Sequence, residues 1–103
     1  MQKNKIIVTL ILLFSTLLFN VSCAINPPVQ EMSNARQALN AARDANAEQF
    51  AENQYKKAKE LLEQARSNIE NGDYHTARYL ALEAKNEAIQ ARQNSQNQSK
   101  ENN

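Results

Sequence analysis

The fold is decided by the stretch AKELLEQARSNIENGDYHTARYLALEAKNEA, residues 58–88, which carries apolar stripes on both sides of the only glycine, Gly72. Before that glycine, apolar residues recur every three or four positions, at Tyr55, Ala58, Leu62, Ala65 and Ile69. After it, the same spacing continues at Tyr74, Ala77, Ala81, Ala84, Ala88 and Ala91. This is the period of one helix face, so the pattern predicts a helix over 52–70 and another that Asp73 caps.

The remaining composition favours helices and disfavours strands. One Gly and two Pro in 103 residues are too few for the turns of a β domain. Facing alanine stripes allow two helix backbones to approach closely, so the Asn71-Gly72 turn predicts an antiparallel hairpin. A further stripe over 29–45 predicts an N-terminal helix that covers one side of this hairpin. The predicted class is all-α: a small three-helix bundle, preceded by a signal peptide.

The two predicted helices at 29–45 and 52–70 are separated by a break over 46–51. Asn46 begins this break, and asparagine is the non-glycine residue best suited to a left-handed helix cap.

Residues 1–22 have the pattern of a secretory leader. Lys3 and Lys5 precede an apolar run over 6–19 and no acidic residue accompanies them. The run is shorter than the roughly 20 residues that span a bilayer, and it falls in the range of signal-peptide cores. A signal peptide is therefore the favoured interpretation of this segment.

The segment Val21-Ser22-Cys23 resembles the end of a bacterial lipobox, in which a small residue precedes the lipidated cysteine. Asn20 stands where leucine is usual in that class. The resemblance implies cleavage before Cys23 and a covalent lipid on its thiol, and several acyl chains would anchor the protein to a membrane. Ala24 follows, where an aspartate often marks retention in the inner membrane, which favours the outer membrane with the domain facing the periplasm.

The chain thus divides into four segments. The expected order is a signal peptide over 1–22, a lipidated cysteine and tether over 23–28, an alanine-rich helical domain over 29–92 and a polar tail over 93–103. The tail contains no apolar residue. Because such a segment cannot offset its ordering entropy, we expect it to be disordered.

Residues 42–88 resemble a bacterial family of short alanine-rich helical lipoproteins, domain of unknown function 4398. The shared features are Ala42–Phe50, Ala58–Ala65, and Gly72-Asp73-Tyr74 followed by Ala77 and Ala84. The resemblance implies a periplasmic helical hairpin and supplies no activity. The segment is also similar to one tetratricopeptide hairpin, although such arrays need about three repeats.

No catalytic or metal-binding constellation stands out. His75 is the only histidine and Cys23 the only cysteine, too few ligands for a zinc site. Glu83 and Glu87 share a helix face but lie among residues typical of a solvated surface. The net charge of +1 provides no electrostatic footprint for nucleic acid. We expect no enzyme activity, no cofactor beyond the lipid on Cys23, no small-molecule substrate and no nucleic-acid partner.

Tyr79, Leu82 and Ile89 are the candidate interaction residues. They lie off the alanine stripe of their helix, and tyrosine is favoured in interfaces. We expect a lipid-anchored protein of the cell envelope that binds envelope proteins or copies of itself through these residues. Two alternatives remain open: a tetratricopeptide-like adaptor for peptides, and an inner-membrane regulatory protein that keeps its signal as an anchor.

Overall fold

The computed structural model describes residues 2–18 and 26–102, without the side chains of 16–18. Within these ranges the chain forms helices and no strand. The helices are α1 Gln2–Leu18, α2 Val29–Asp44, α3 Ala47–Phe50, α4 Glu52–Glu70 and α5 Tyr74–Glu101. The predicted all-α class is confirmed.

Helix α5 is the centre of the domain. It packs along both α4 and α2, which meet each other over a shorter stretch. The α4–α5 pair is antiparallel, as Lys57 pairs with Glu87 and Gln54 with Gln90. The predicted hairpin with a covering N-terminal helix is therefore confirmed.

Small side chains form the contact between these helices. The buried residues of α5 are Ala77, Ala81, Ala84, Ala88, Ala91 and Ser95. Those of the two neighbouring helices are Tyr55, Ala58 and Ala65 on α4, and Met32, Ala35 and Ala42 on α2. Larger apolar residues close the edges of this core, among them Leu62, Ile69 and Leu80.

The hairpin turn uses the residues that the sequence indicated. Gly72 has a φ of +80°, which side chains disfavour, and its N–H donates to the Ile69 carbonyl at 3.0 Å. The N–H of Asp73 donates to the Asn68 carbonyl at 2.8 Å. The Asp73 carboxylate then accepts from the Thr76 N–H at 3.2 Å and caps α5.

The break between α2 and α4 contains one helical turn. Asn46 has a φ of +65°, which confirms the predicted left-handed residue. The short helix α3 follows it, and its Ala47 is fully buried against Ala42 and Tyr55. The break is thus a packed corner.

The expectation of a disordered tail over 93–103 is wrong for its described part, because α5 continues to Glu101. Ser95 is buried, and its hydroxyl donates to the carbonyl of Ala45 at the end of α2. The Asn94 side chain donates to Gln54 on α4. Polar contacts therefore hold a segment that carries no apolar residue, and counting apolar residues overlooks them.

Helix α1 packs against none of the other described helices. Its apolar side chains from Ile6 to Phe14 are 52% to 70% exposed. None of the helices within 2–18 and 26–102 has the length and apolar character needed to cross a membrane. Cys23 and its lipobox lie in 19–25, outside the described residues.

The first prediction concerns the contact that holds the end of α5. Replacing Ser95 by alanine removes the hydrogen bond to the Ala45 carbonyl and leaves that acceptor without this donor. We expect Ser95→Ala to lower the free energy of unfolding by about 1 kcal/mol. Amide hydrogen exchange over residues 96–101 should accelerate. Urea unfolding and exchange measured by mass spectrometry check both effects.

Ser99→Ala is the matched control, because Ser99 lies on the same helix and is exposed. Its stability should stay close to that of the parent. Equal losses in both variants would show that the Ser95 contact does not hold this part of the helix.

Candidate functional site

The side of α5 opposite its alanines carries a continuous stripe, which we call the outer seam. It consists of Tyr79, Leu82, Asn86, Ile89 and Gln93, spaced alternately three and four residues apart, and all five are exposed. Tyr79 is 59% exposed, Leu82 42% and Ile89 39%. The structure therefore brings the three candidate interaction residues onto one face.

Few other large apolar side chains of the helical domain are exposed. Within residues 26–102, the only other exposed large apolar residue besides Tyr79, Leu82 and Ile89 is Val29. The alanines on the opposite face of α5 are at most 2% exposed. Helix α5 thus buries its alanines and exposes Tyr79, Leu82 and Ile89, whereas Leu80 packs at the edge of the core.

One flank of the outer seam is basic. Arg78, Lys85 and Arg92 follow each other at intervals of seven residues along the side of α5 that faces α2. The Arg78 Nε donates to Glu31 Oε1 at 3.1 Å, and its Nη2 donates to the Asn26 carbonyl at 3.3 Å. Arg78 therefore ties the start of the folded domain to the start of α5.

The other flank is acidic and amide-rich, and it faces α4. Lys57 Nζ lies 2.9 Å from Glu87 Oε1, and the Gln54 side chain donates to Gln90 at 3.3 Å. Glu83 lies one turn before Glu87 on this flank. The outer seam thus runs between a positive and a negative border.

Tyr79 is held in place by Glu83. Its hydroxyl donates to Glu83 Oε1 at 3.1 Å. This hydrogen bond, and secondarily the negative charge of Glu83, raises the pKa of Tyr79 above its ordinary value. Tyr79 and Leu82 also line an open groove near the start of α5, together with His75, Thr76 and Arg78.

Tyr55 behaves differently from Tyr79. It is 7% exposed and packs with Ala42, Ala47 and Ala91. Burial raises the pKa of its hydroxyl, and a hydrogen bond to Glu48 and the charge of that residue add to the effect. The sequence placed Tyr55 on a core stripe, and the structure agrees.

The residues considered for catalysis or metal binding do not form a common site. His75 is exposed in the first turn of α5. Glu83 and Glu87 share a flank but bind different partners, Tyr79 and Lys57. No cluster of three or more His, Cys, Asp or Glu suited to a metal ion occurs in the described ranges.

Sequence reasoning missed the role of Arg78. Its partners Glu31 and Asn26 lie 47 and 52 residues away along the chain. A helical period relates near neighbours only, so it contains no signal for such a contact.

A family model described as "Domain of unknown function (DUF4398)" matches residues 30–103. The chain belongs to this family. No curated protein and no solved structure matches the chain. The DUF4398 match begins in α2 and includes the end of α5, so it extends beyond the resemblance seen over 42–88. In this member of DUF4398, the outer seam is the exposed apolar stripe of the matched region.

The second prediction concerns the Tyr79–Glu83 pair. Glu83→Gln removes the negative charge, so the pKa of Tyr79 should fall toward its ordinary value. Because the hydroxyl donates only while protonated, the bond is present below the raised pKa and is lost as pH rises through it. The ring resonances of Tyr79, followed by NMR through an alkaline titration, measure the shift.

Glu87→Gln is the control, because Glu87 pairs with Lys57 on the same flank. It should leave the Tyr79 titration unchanged. An identical Tyr79 midpoint in the parent and in Glu83→Gln would contradict the role given to Glu83.

Proposed function

We propose that this protein is a small lipid-anchored protein of the bacterial cell envelope, attached through Cys23 to the outer membrane and facing the periplasm. Its helical domain acts as a structural and protein-interaction module without catalysis. The observation that carries the proposal is the outer seam, with its exposed Tyr79, Leu82 and Ile89 on a domain otherwise packed with alanine.

The place where the folded domain begins supports the anchor. Asn26 accepts a hydrogen bond from Arg78, and Pro28 is buried. The described part of the domain begins at Asn26, three residues after Cys23 in the sequence, so a lipid on that cysteine would be joined to the domain through few residues. Pro27 and Pro28 belong to the beginning of the domain, where their carbonyls accept from the N–H groups of Val29 and Met32.

The surface of α1 supports its role as a leader. Its apolar side chains are exposed on all sides and contribute nothing to the core formed by α2, α4 and α5. An apolar segment of this length, preceded by Lys3 and Lys5, suits recognition by a secretion system. The helical domain does not depend on α1 for its packing, so it would keep its contacts after cleavage.

The arrangement of apolar residues supports the interaction role. Single exposed apolar residues are common on protein surfaces, but a continuous stripe that includes a tyrosine is typical of a binding surface. The buried apolar positions of α5 are all alanine, and Tyr79, Leu82 and Ile89 lie on its exposed side. The larger side chains therefore remain available for a partner.

The form of the surface supports a role without catalysis. The grooves along the helices are open, as at Tyr79 and Leu82. Catalytic carboxylates usually need an enclosed and partly dry site that shifts their pKa values. Glu83 and Glu87 lie instead on the flank of a solvated helix.

The third prediction tests the anchor. The full chain is expressed in a bacterium, extracted from membranes and analysed by intact mass. We expect the mass of residues 23–103 plus a glyceryl group and acyl chains. Cys23→Ala should lose these additions and retain the leader, since the lipobox cysteine is absent. The unmodified mass of the full chain in the parent protein would overturn the lipid anchor and favour an uncleaved signal anchor.

The fourth prediction tests the interaction surface. Amine-reactive or photoactivated crosslinking in membranes should yield a crosslinked species that Leu82→Asp and Tyr79→Ala each abolish, while circular dichroism shows unchanged helicity. Both residues are exposed, so the changes leave the core intact.

Gln64→Ala, on an exposed position of α4, is the control and should leave the crosslinked species in place. A pattern unaffected by either seam variant would show that another surface binds. Saturable NMR shifts along one helix face on addition of envelope peptides would instead favour the tetratricopeptide-like adaptor.

A further inference from the structure

We propose that the outer seam binds a second copy of this chain. The two α5 helices pack in parallel and in register around a two-fold axis, with Asn86 facing Asn86 of the second copy. This inference rests on the proposed membrane anchor for the local concentration it needs, but the pairing itself follows from the residues of α5.

The spacing of the outer seam is that of a coiled-coil interface. Tyr79, Leu82, Asn86, Ile89 and Gln93 alternate by three and four residues, which corresponds to positions a, d, a, d, a of a heptad. Three of the first four positions are apolar. Asn86 occupies an a position, where a single asparagine specifies two parallel strands in register, because the two amides hydrogen-bond to each other only in that arrangement.

The two flanks of the seam fit the same arrangement. In a parallel pair, each g position lies beside the e position five residues later on the other helix. The g positions are Arg78, Lys85 and Arg92, and the e positions Glu83, Gln90 and Asn97. Arg78 of one copy thus meets Glu83 of the other, twice by symmetry. The two remaining basic residues meet amide oxygens.

The antiparallel arrangement brings like charges together. If Tyr79 at position a packs against Ile89 at position d of the second copy, Arg78 lies near Arg92 of that copy, and Lys85 lies near Lys85 of that copy. Such contacts are repulsive and act against this orientation. The charges of the basic flank therefore select the parallel pair.

These groups are available for the contact. Arg78 uses Nε and Nη2 for Glu31 and Asn26, and its partly exposed guanidinium can still donate from Nη1 to Glu83 of the other copy. Lys85 and Arg92 form no ion pair with any residue of the described part of the chain. Glu83 accepts from Tyr79 through Oε1, and its second carboxylate oxygen can accept from an arginine. Helices α2 and α4 pack on either side of the buried face of α5 and leave the outer seam uncovered.

The contact is small, and this links it to the anchor. A standard interface buries roughly 800 Å² on each partner, more than three apolar side chains supply. Pairing is therefore weak for freely diffusing chains. Attachment to one membrane raises the effective concentration of the copies. Asn26 lies against Arg78 near the start of α5. In every anchored copy the start of α5 therefore lies on the side of the anchor, and the α5 helices point in the same direction, as the parallel pair requires.

The fifth prediction is a disulfide crosslink at the far end of the seam. Gln93→Cys is introduced into the full chain with Cys23 intact, and bacterial membranes are treated with a mild oxidant. In the parallel pair the two cysteines face each other, so covalent dimer should exceed that of Gln64→Cys, an exposed glutamine on α4, by about tenfold. Leu82→Asp in the Gln93→Cys chain should reduce the dimer to the control level.

The outcomes separate the pairing from the anchor. The mass of the disulfide-linked peptide assigns each crosslink to residue 93, so a bridge through Cys23 is not counted. A lipidated protein that gives no excess of dimer at Gln93→Cys would overturn the pairing and keep the anchor. A dimer at residue 93 in a chain that carries no lipid would keep the pairing and overturn the anchor.

A mixed sample of Tyr79→Cys and Ile89→Cys chains tests the orientation. In an antiparallel coiled coil an a position packs against a d position, so these two residues meet. A mixed crosslink that exceeds both homodimers would overturn the parallel arrangement.

Discussion

The domain depends on the close approach of helix backbones across an alanine face. Every buried position of α5 is alanine or serine, so α4 and α2 can both lie against it. Alanine loses no side-chain entropy on burial, but each one removes little apolar surface from water. Many such contacts along a helix of 28 residues are needed to hold the domain. This explains why α5 is long and why α2 and α4 lie on either side of it.

The same constraint decides where the larger apolar residues go. A leucine in the alanine face would separate the backbones, so Leu62, Ile69 and Leu80 pack at the edges of the core. Tyr79, Leu82 and Ile89 have no such place and lie on the outside. The exposed stripe is thus a consequence of the packing as well as the best candidate for a binding surface. A core with wider spacing between its helices would have room to bury these side chains.

The features that the sequence predicted are local ones. The left-handed Asn46 and Gly72, the Asp73 cap and the bounds of α4 follow from residues within one or two helical turns. The features that it missed are contacts between residues distant in the chain. The tail after residue 92 was expected to be disordered because it lacks apolar residues, yet Ser95 reaches the Ala45 carbonyl. Exposure of the seam residues was predictable from their phase relative to the alanines, whereas the Arg78 contacts were not.

Those two long-range contacts have a joint effect on the outer seam. Near the start of α5, Arg78 holds Glu31 and Asn26, and near its end Ser95 holds Ala45. Both contacts join α5 to α2 or to the residues that flank α2. The Arg78 contacts lie at the start of α2, and the Ser95 contact lies at its end. The packing of α2 rests on alanines together with Met32 and Leu39, and the polar contacts add directional bonds at its two ends. The polar contacts fix it beside the alanine face and away from Leu82 and Ile89.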